Sequence, residues 1–204
     1  TLHRPFITLK WAESADHFID IERTDGKPVV LSSPLSSMLV HKKRAEADAI
    51  MVGRRTALLD NPSLTVRNWY GRNPIRIVLD CALSLPHSLH LFDGEVSTIV
   101  FTAEKHSDEK NVTYKTIDFT QDVLPQIMEV LYQQKIQSLL VEGGSQLLQS
   151  FIDTELWDEV YIEKCPCKLN SGVKAPEISD NFSYSTEEHF DRQIWRYVFG
   201  RWLK

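Results

Sequence analysis

Two short runs constrain this chain more than any other feature. Ala49-Ile50-Met51-Val52 and Ser138-Leu139-Leu140-Val141 are almost wholly apolar, and each ends abruptly, the first at Gly53 and the second at Glu142-Gly143-Gly144. A strand with no polar face must be covered on both sides, which is the condition of a parallel sheet packed between helices. The surrounding segments fit that condition. Residues 6–11, 75–79, 98–101 and 112–117 read as further strands. Ser33-Pro34 joins a favoured N-cap to the proline position that opens a helix. Leu35, Met38, Leu39 and Ala45 then carry helical spacing to about residue 46. Val123, Leu124, Ile127, Val130 and Leu131 mark another helix face, and Leu147, Leu148, Phe151 and Ile152 a short third one. The C-terminal third changes character: residues 159–163, 185–190 and 194–202 alternate or are rich in aromatics, as antiparallel strands are. The expected fold is α/β in three layers, α/β/α, with a mostly parallel mixed sheet and antiparallel C-terminal strands.

Length and charge narrow the class. The 204 residues suit one domain, 1–204, with a full core. A net charge of −5 argues against nucleic acid and anionic membrane as partners. The charge is uneven, however. From Lys42 to Arg76 there are eight basic residues against three acidic ones, a local surplus that points to small anions. No apolar run approaches the roughly 20 residues of a membrane span. Thr1-Leu2-His3-Arg4 does not read as a signal peptide. The three cysteines, Cys81, Cys165 and Cys167, make no disulfide framework, and nothing completes a zinc quartet by spacing. They read as structural thiols in a reducing cytoplasm, and no metal site is expected.

Three constellations carry chemistry. In Val141-Glu142-Gly143-Gly144-Ser145 a strand ends in adjacent glycines before a helix. Glycine lets backbone approach a ligand, and a helix start offers free N–H groups to an anion such as a diphosphate. Glu142 stands at the strand's C-terminal end, where α/β ligands lie. Its carboxylate either hydrogen-bonds a substrate or faces water, and the residues alone leave both readings open. Gly53-Arg54-Arg55-Thr56 repeats the pattern with two arginines, whose planar forks suit phosphate. Arginine opposes the dipole at a helix start, which favours an anion there. Asp60-Asn61-Pro62-Ser63-Leu64-Thr65-Val66-Arg67 reads as an ordered loop rather than a helix tail, since Pro62 biases Asn61 toward extended backbone. From spacing alone it is a surface turn.

Together with Arg4-Pro5-Phe6-Ile7-Thr8-Leu9-Lys10, residues 41–56, the Asp60–Arg67 stretch, Pro74-Ile75-Arg76-Ile77-Val78-Leu79-Asp80 and Val141-Glu142-Gly143-Gly144, these pieces resemble one family. It is the reductase domain of the bacterial riboflavin-biosynthesis bifunctional deaminase–reductase, whose fold is like that of dihydrofolate reductases. The resemblance runs from Arg4 to about Trp202. It implies that NADPH reduces C1 of the ribosyl group of 5-amino-6-(5-phosphoribosylamino)uracil. It implies substrate contacts at Arg44, Leu64, Arg67 and Glu142, with Ser32 and Ser33 near the ligands. NADPH contacts are implied at Thr56, Asp60 and residues 144–150, including Gly144, Ser145, Gln146 and Leu147, beside Gly143. Arg54 and Arg55 would meet the 2′-phosphate. Glu142 and Asp60 are the catalytic candidates. A homodimer is implied, and a zinc deaminase, fused or separate, whose His-x-Glu and Pro-Cys-x-x-Cys signature is absent from these residues. The chain would be the C-terminal part of such a protein. Two other readings are weighed: reduction of the diamino-pyrimidinone before deamination, and a non-catalytic nucleotide-binding domain. One departure stands out, because His17 follows Ser14-Ala15-Asp16 where the family has glycine.

Overall fold

The computed structural model describes residues 3–23 and 27–200. In chain order the elements are β1 (Phe6–Glu13), β2 (Phe18–Asp20), α1 (Pro34–Glu46), β3 (Ala49–Val52), α2 (Arg54–Asp60), β4 (Ile75–Leu79), β5 (Thr98–Thr102), β6 (Val112–Thr116), α3 (Val123–Gln133), β7 (Ser138–Val141), α4 (Ser145–Asp153), β8 (Glu159–Lys164), β9 (Val173–Lys174), β10 (Tyr184–His189) and β11 (Arg192–Val198). Nine strands form one sheet in the order β10-β11-β8-β1-β7-β3-β4-β5-β6, and β2 pairs with β9 in a small ribbon. From β8 through β6 the strands run parallel. β11 is antiparallel to β8, and β10 to β11.

The two apolar runs become β3 and β7, hydrogen-bonded neighbours near the middle of the sheet. Alternation along them divides the core, as strand geometry requires. Ala49, Met51, Leu139 and Val141 face the layer of α3 and α4, with Ile127, Leu131, Leu148 and Phe151. Ile50, Val52 and Leu140 face the other way, against Ala57 of α2 and Leu85 and Leu91 of the loop after β4. The expected three layers are therefore present.

Three expectations need correction. Residues 159–163 were expected as an antiparallel strand, but β8 is parallel to β1 and antiparallel only to β11. Alternation records one covered face, and either direction can supply that. Second, α1 has the expected bounds and a capping box between Ser33 and Ser36, but its buried residues are Ser36 and His41, while Leu35 and Met38 are exposed. The helix lies over a polar region, so hydrogen bonds decide which face is covered. Third, Asp60 is the last residue of α2 rather than part of the loop; the helix stops at Asn61, which is left-handed.

In the C-terminal strands, Tyr197 joins the core and Trp195 packs against it, stacked on Tyr184 at 4.7 Å between ring centroids. β11 ends at Val198, and Trp202 lies outside the described residues. His17 adopts φ +62°, the conformation that glycine takes freely. Its Nδ1 lies 2.9 Å from Glu13 Oε1, and the backbone conformation itself costs about 1 kcal/mol.

Candidate active site

The ends of β3 and β7 bring the two glycine turns into contact. The Glu142 N–H donates to Met51 O at 3.0 Å, and the Gly53 N–H donates to Gly143 O at 2.9 Å. Gly143 has φ +133°, and the Gly143–Gly144 peptide bond is cis. A Cβ on Gly144 would stand 3.0 Å from Thr56 Oγ1, so glycine is what allows α2 and α4 to start side by side. Gly144 caps α4 with no side-chain hydrogen bond, which leaves the first N–H groups of that helix open.

A cavity of about 820 Å³ opens at this junction. Thr56, Asp60, Arg54, Arg55 and Glu142 line it, as do Gly143, Gly144, Ser145, Gln146 and Leu147. Of residues 144–150 only Gln149 is outside the lining; its amide bonds Asp153 and Glu177 O instead. Ser145 Oγ donates to Lys174 O at 2.7 Å. Ser32 also lines the cavity, donating to Glu163 Oε2 at 2.7 Å.

Four expected residues are not brought to the cavity wall. Ser33 is buried and committed to the α1 cap. Leu64 is a core residue at 2% exposure. Arg67 is exposed, with its backbone N–H donating to His41 Nδ1 at 3.1 Å. Arg44 grips Glu142 in a fork, Nε to Oε1 at 2.9 Å and Nη2 to Oε2 at 2.6 Å, and its Nη1 donates to Thr65 O at 3.3 Å. Both side chains are nearly buried. Burial opposes the Arg44 charge, but the Glu142 carboxylate overcomes that and raises the guanidinium's pKa.

The basic surplus is mostly consumed inside the protein. Arg54 bonds Ser84 and approaches Asp80, Arg72 pairs with Asp48, and buried Arg76 pairs with Asp93. Among the described residues, Arg55 and Arg67 form no ion pair, so they are the arginines left for a ligand. Asp60 is held by Arg23, which also binds Asp20. The sequence reading passed over Arg23, Asp20 and Lys10. Lys10 projects from a central strand into the cavity wall, 3.5 Å from buried Glu163. Its signal was a lysine within an apolar strand, a placement that demands a nearby carboxylate.

His41 accepts from Arg67 and lies beside Arg44, so it must be neutral. Burial first, then the charges of Arg44 and Arg67, lower its pKa below 6.5; Glu142 and Thr65 act the other way. An unfolded chain therefore binds this proton more readily than the folded one. Stability is full above pH 6.5 and falls as pH drops from there toward the folded value. The midpoint of thermal unfolding is expected to fall between pH 7 and 5.5, and His41→Gln should flatten that slope. An unchanged slope in the variant contradicts the assignment.

The family described as the RibD C-terminal domain matches residues 5–170. The riboflavin biosynthesis protein RibD of Aquifex aeolicus is 31% identical over 183 residues, covering 87% of this chain and 51% of that protein. The 2,5-diamino-6-ribosylamino-4(3H)-pyrimidinone 5′-phosphate reductase of Archaeoglobus fulgidus is 31% identical over 197 residues, covering 89% of each. A deaminase/5-amino-6-(5-phosphoribosylamino)uracil reductase from Thermotoga maritima superposes with a TM-score of 0.82 at 29% identity, over 96% of this chain and 56% of that one. Dihydrofolate reductase from Enterococcus faecalis shares the fold, with a TM-score of 0.56 at 16% identity. The chain thus spans about half the length of the Aquifex and Thermotoga proteins.

Proposed function

Because the chain belongs to the RibD C-terminal domain family, we propose that it is a riboflavin-pathway pyrimidine reductase. Its substrate in this reading is 5-amino-6-(5-phosphoribosylamino)uracil, reduced at ribose C1 to the ribitylamino product. The observation that carries the proposal is the shared cavity at the ends of β3 and β7, with the Glu142 carboxylate fixed by Arg44 on one side and the glycine turn on the other.

The residues present fit a nicotinamide dinucleotide. The space kept open at Gly144 against Thr56 and the uncapped start of α4 suit a diphosphate. Arg55, with Arg54 beside it, suits the 2′-phosphate that distinguishes NADPH. When bound, the nicotinamide supplies the hydride; the chain's own residues position and protonate. Glu142 accepts hydrogen bonds from Arg44, so it acts as an acceptor for the substrate rather than as a proton donor. Asp60, engaged by Arg23, borders the cofactor side. Reduction at C1 breaks the C1–O4′ bond, and O4′ takes up a proton. Lys10 Nζ, a charged donor in the cavity wall, is assigned to hold that proton. Arg67 is assigned to the substrate phosphate; Ser32, Ser33 and Leu64 shape the surroundings through α1 and the core.

A second reading has a specific support. The archaeal reductase, which matches this chain over 89% of both lengths, carries the diamino-pyrimidinone in its name. Loss of NADPH absorbance with each ribosylamino-pyrimidine phosphate separates the two. The uracil is expected to be turned over at least tenfold faster (kcat/KM); the reverse order transfers the proposal to the diamino compound. No oxidation with either, despite NADPH binding, leaves a non-catalytic domain. Homodimer formation, and supply of the substrate by a fused or separate zinc deaminase, belong to the same proposal. Among the described residues no helix is long and apolar enough to cross a membrane, and no cluster of three or more His, Cys, Asp or Glu could hold a metal.

A further inference from the structure

Cys165 and Cys167 flank Pro166 where the chain leaves β8, and neither lines the cavity. Their sulfurs lie 2.7 Å apart. That is closer than two unbonded sulfurs normally sit, and about 0.7 Å beyond the length of a disulfide bond. Cys165 is buried at 6% exposure and Cys167 is exposed. The Cys167 N–H points to Cys165 Sγ at 3.4 Å. Main-chain bonds pin the segment on both sides of the proline. The Cys165 N–H donates to Glu13 O at 2.8 Å, and Cys167 O accepts from the Ala15 N–H at 2.8 Å. The Asp16 carboxylate then accepts from the N–H groups of Leu169 and Asn170, at 3.0 and 2.7 Å. The two thiols are thus held as a pair by the fold, which a structural role as isolated apolar fillers does not require. With no third ligand grouped beside them among the described residues, the pair falls short of a structural zinc site. Cys81 lies elsewhere, its carbonyl accepting from Thr102 and Ala103.

We propose that Cys165 and Cys167 form a redox-active dithiol that closes to an intrachain disulfide by exchange with a low-molecular-weight disulfide. The accessible Cys167 thiolate attacks one sulfur of the reagent, whose S–S bond breaks and releases one thiolate. The Cys165 thiolate then attacks Cys167 Sγ in the mixed disulfide and displaces the second thiolate. The two cysteines are oxidised, the reagent disulfide is reduced to two thiols, and the two cysteine protons end on those thiols. Burial, then the hydrogen bond to Cys165, raises the Cys167 pKa, so closure speeds up with rising pH.

The test is thiol mapping on the folded chain. The protein is equilibrated in glutathione buffers of increasing oxidised fraction, quenched with N-ethylmaleimide, digested and weighed. Cys165 and Cys167 are expected to lose alkylation together while Cys81 keeps it. The peptide holding both becomes about 2 Da lighter than the dithiol form. In Cys165→Ser the glutathione adduct on Cys167 should accumulate, because no second thiol resolves it. Separate titration of the two thiols overturns the proposal, as do stable adducts on both or links to Cys81 or to a second chain. Full alkylation of the pair in wholly oxidised glutathione overturns it equally. The readout is independent of turnover, so a failed reductase assay leaves it intact.

Discussion

Arg44→Ala is expected to lower turnover by on the order of 10²–10³-fold and to cost about 3 kcal/mol of stability. The substitution leaves the Glu142 carboxylate in a nearly buried position without the fork that orients it. It also releases Thr65 O and so loosens the loop that leads to Arg67. Glu142→Gln keeps the shape but removes the charge and turns one of the two acceptors facing Arg44 into a donor, and should lose turnover with little change in NADPH binding. Stability and activity separate in the double variant Arg44→Met/Glu142→Leu. Removing both charges together should recover much of the lost stability while leaving the enzyme inactive. Denaturant unfolding and initial rates measure the two quantities. Wild-type turnover in Arg44→Ala would remove Glu142 orientation from the mechanism.

The second large effect is expected at Gly143. Gly143→Ala should weaken NADPH binding by about 10–100-fold and destabilise the fold by about 1–3 kcal/mol, because a side chain resists φ +133°. The turn that would shift is the one hydrogen-bonded to Gly53 and packed against Thr56. Gly144→Ala acts through space instead. Its new Cβ would press on Thr56 Oγ1 at 3.0 Å, so Thr56→Ala, which removes that atom, should relieve the contact, whereas Thr56→Ser keeps it. Fluorescence titration with NADPH reads the affinity directly. Unchanged affinity in Gly143→Ala would place the diphosphate somewhere other than at this turn.

Much of the fold was legible in the sequence. Almost wholly apolar four-residue runs are rare outside doubly covered strands, so β3, β7 and the helical layers on both sides followed from residue type alone. The glycine turns were equally visible, since adjacent glycines after a buried strand have few other uses. The direction of β8 was not visible, because side-chain alternation reports a covered face and carries no sign. The buried face of α1 was not visible either, for a related reason. Ser36 and His41 are covered because Glu163 and the Arg67 backbone supply partners from strands and loops far away in sequence.

The candidate site divides along the same line. Residue identity alone placed Glu142, Gly143, Gly144, Thr56, Arg54 and Arg55 at the ends of two strands, the resemblance added Asp60, and the structure brings all of them to one cavity. Lys10 and Arg23 went unnoticed, and Arg44, expected as a substrate contact, has its fork filled by Glu142. Local sequence carries propensity, glycine geometry and hydrophobic period, each a property of a few consecutive residues. Which charges neutralise one another, and which are left for a ligand, depends on distances between segments up to about a hundred residues apart, as with Arg44 and Glu142. Only the tertiary structure fixes those distances, and Coulomb energy and desolvation both turn on them.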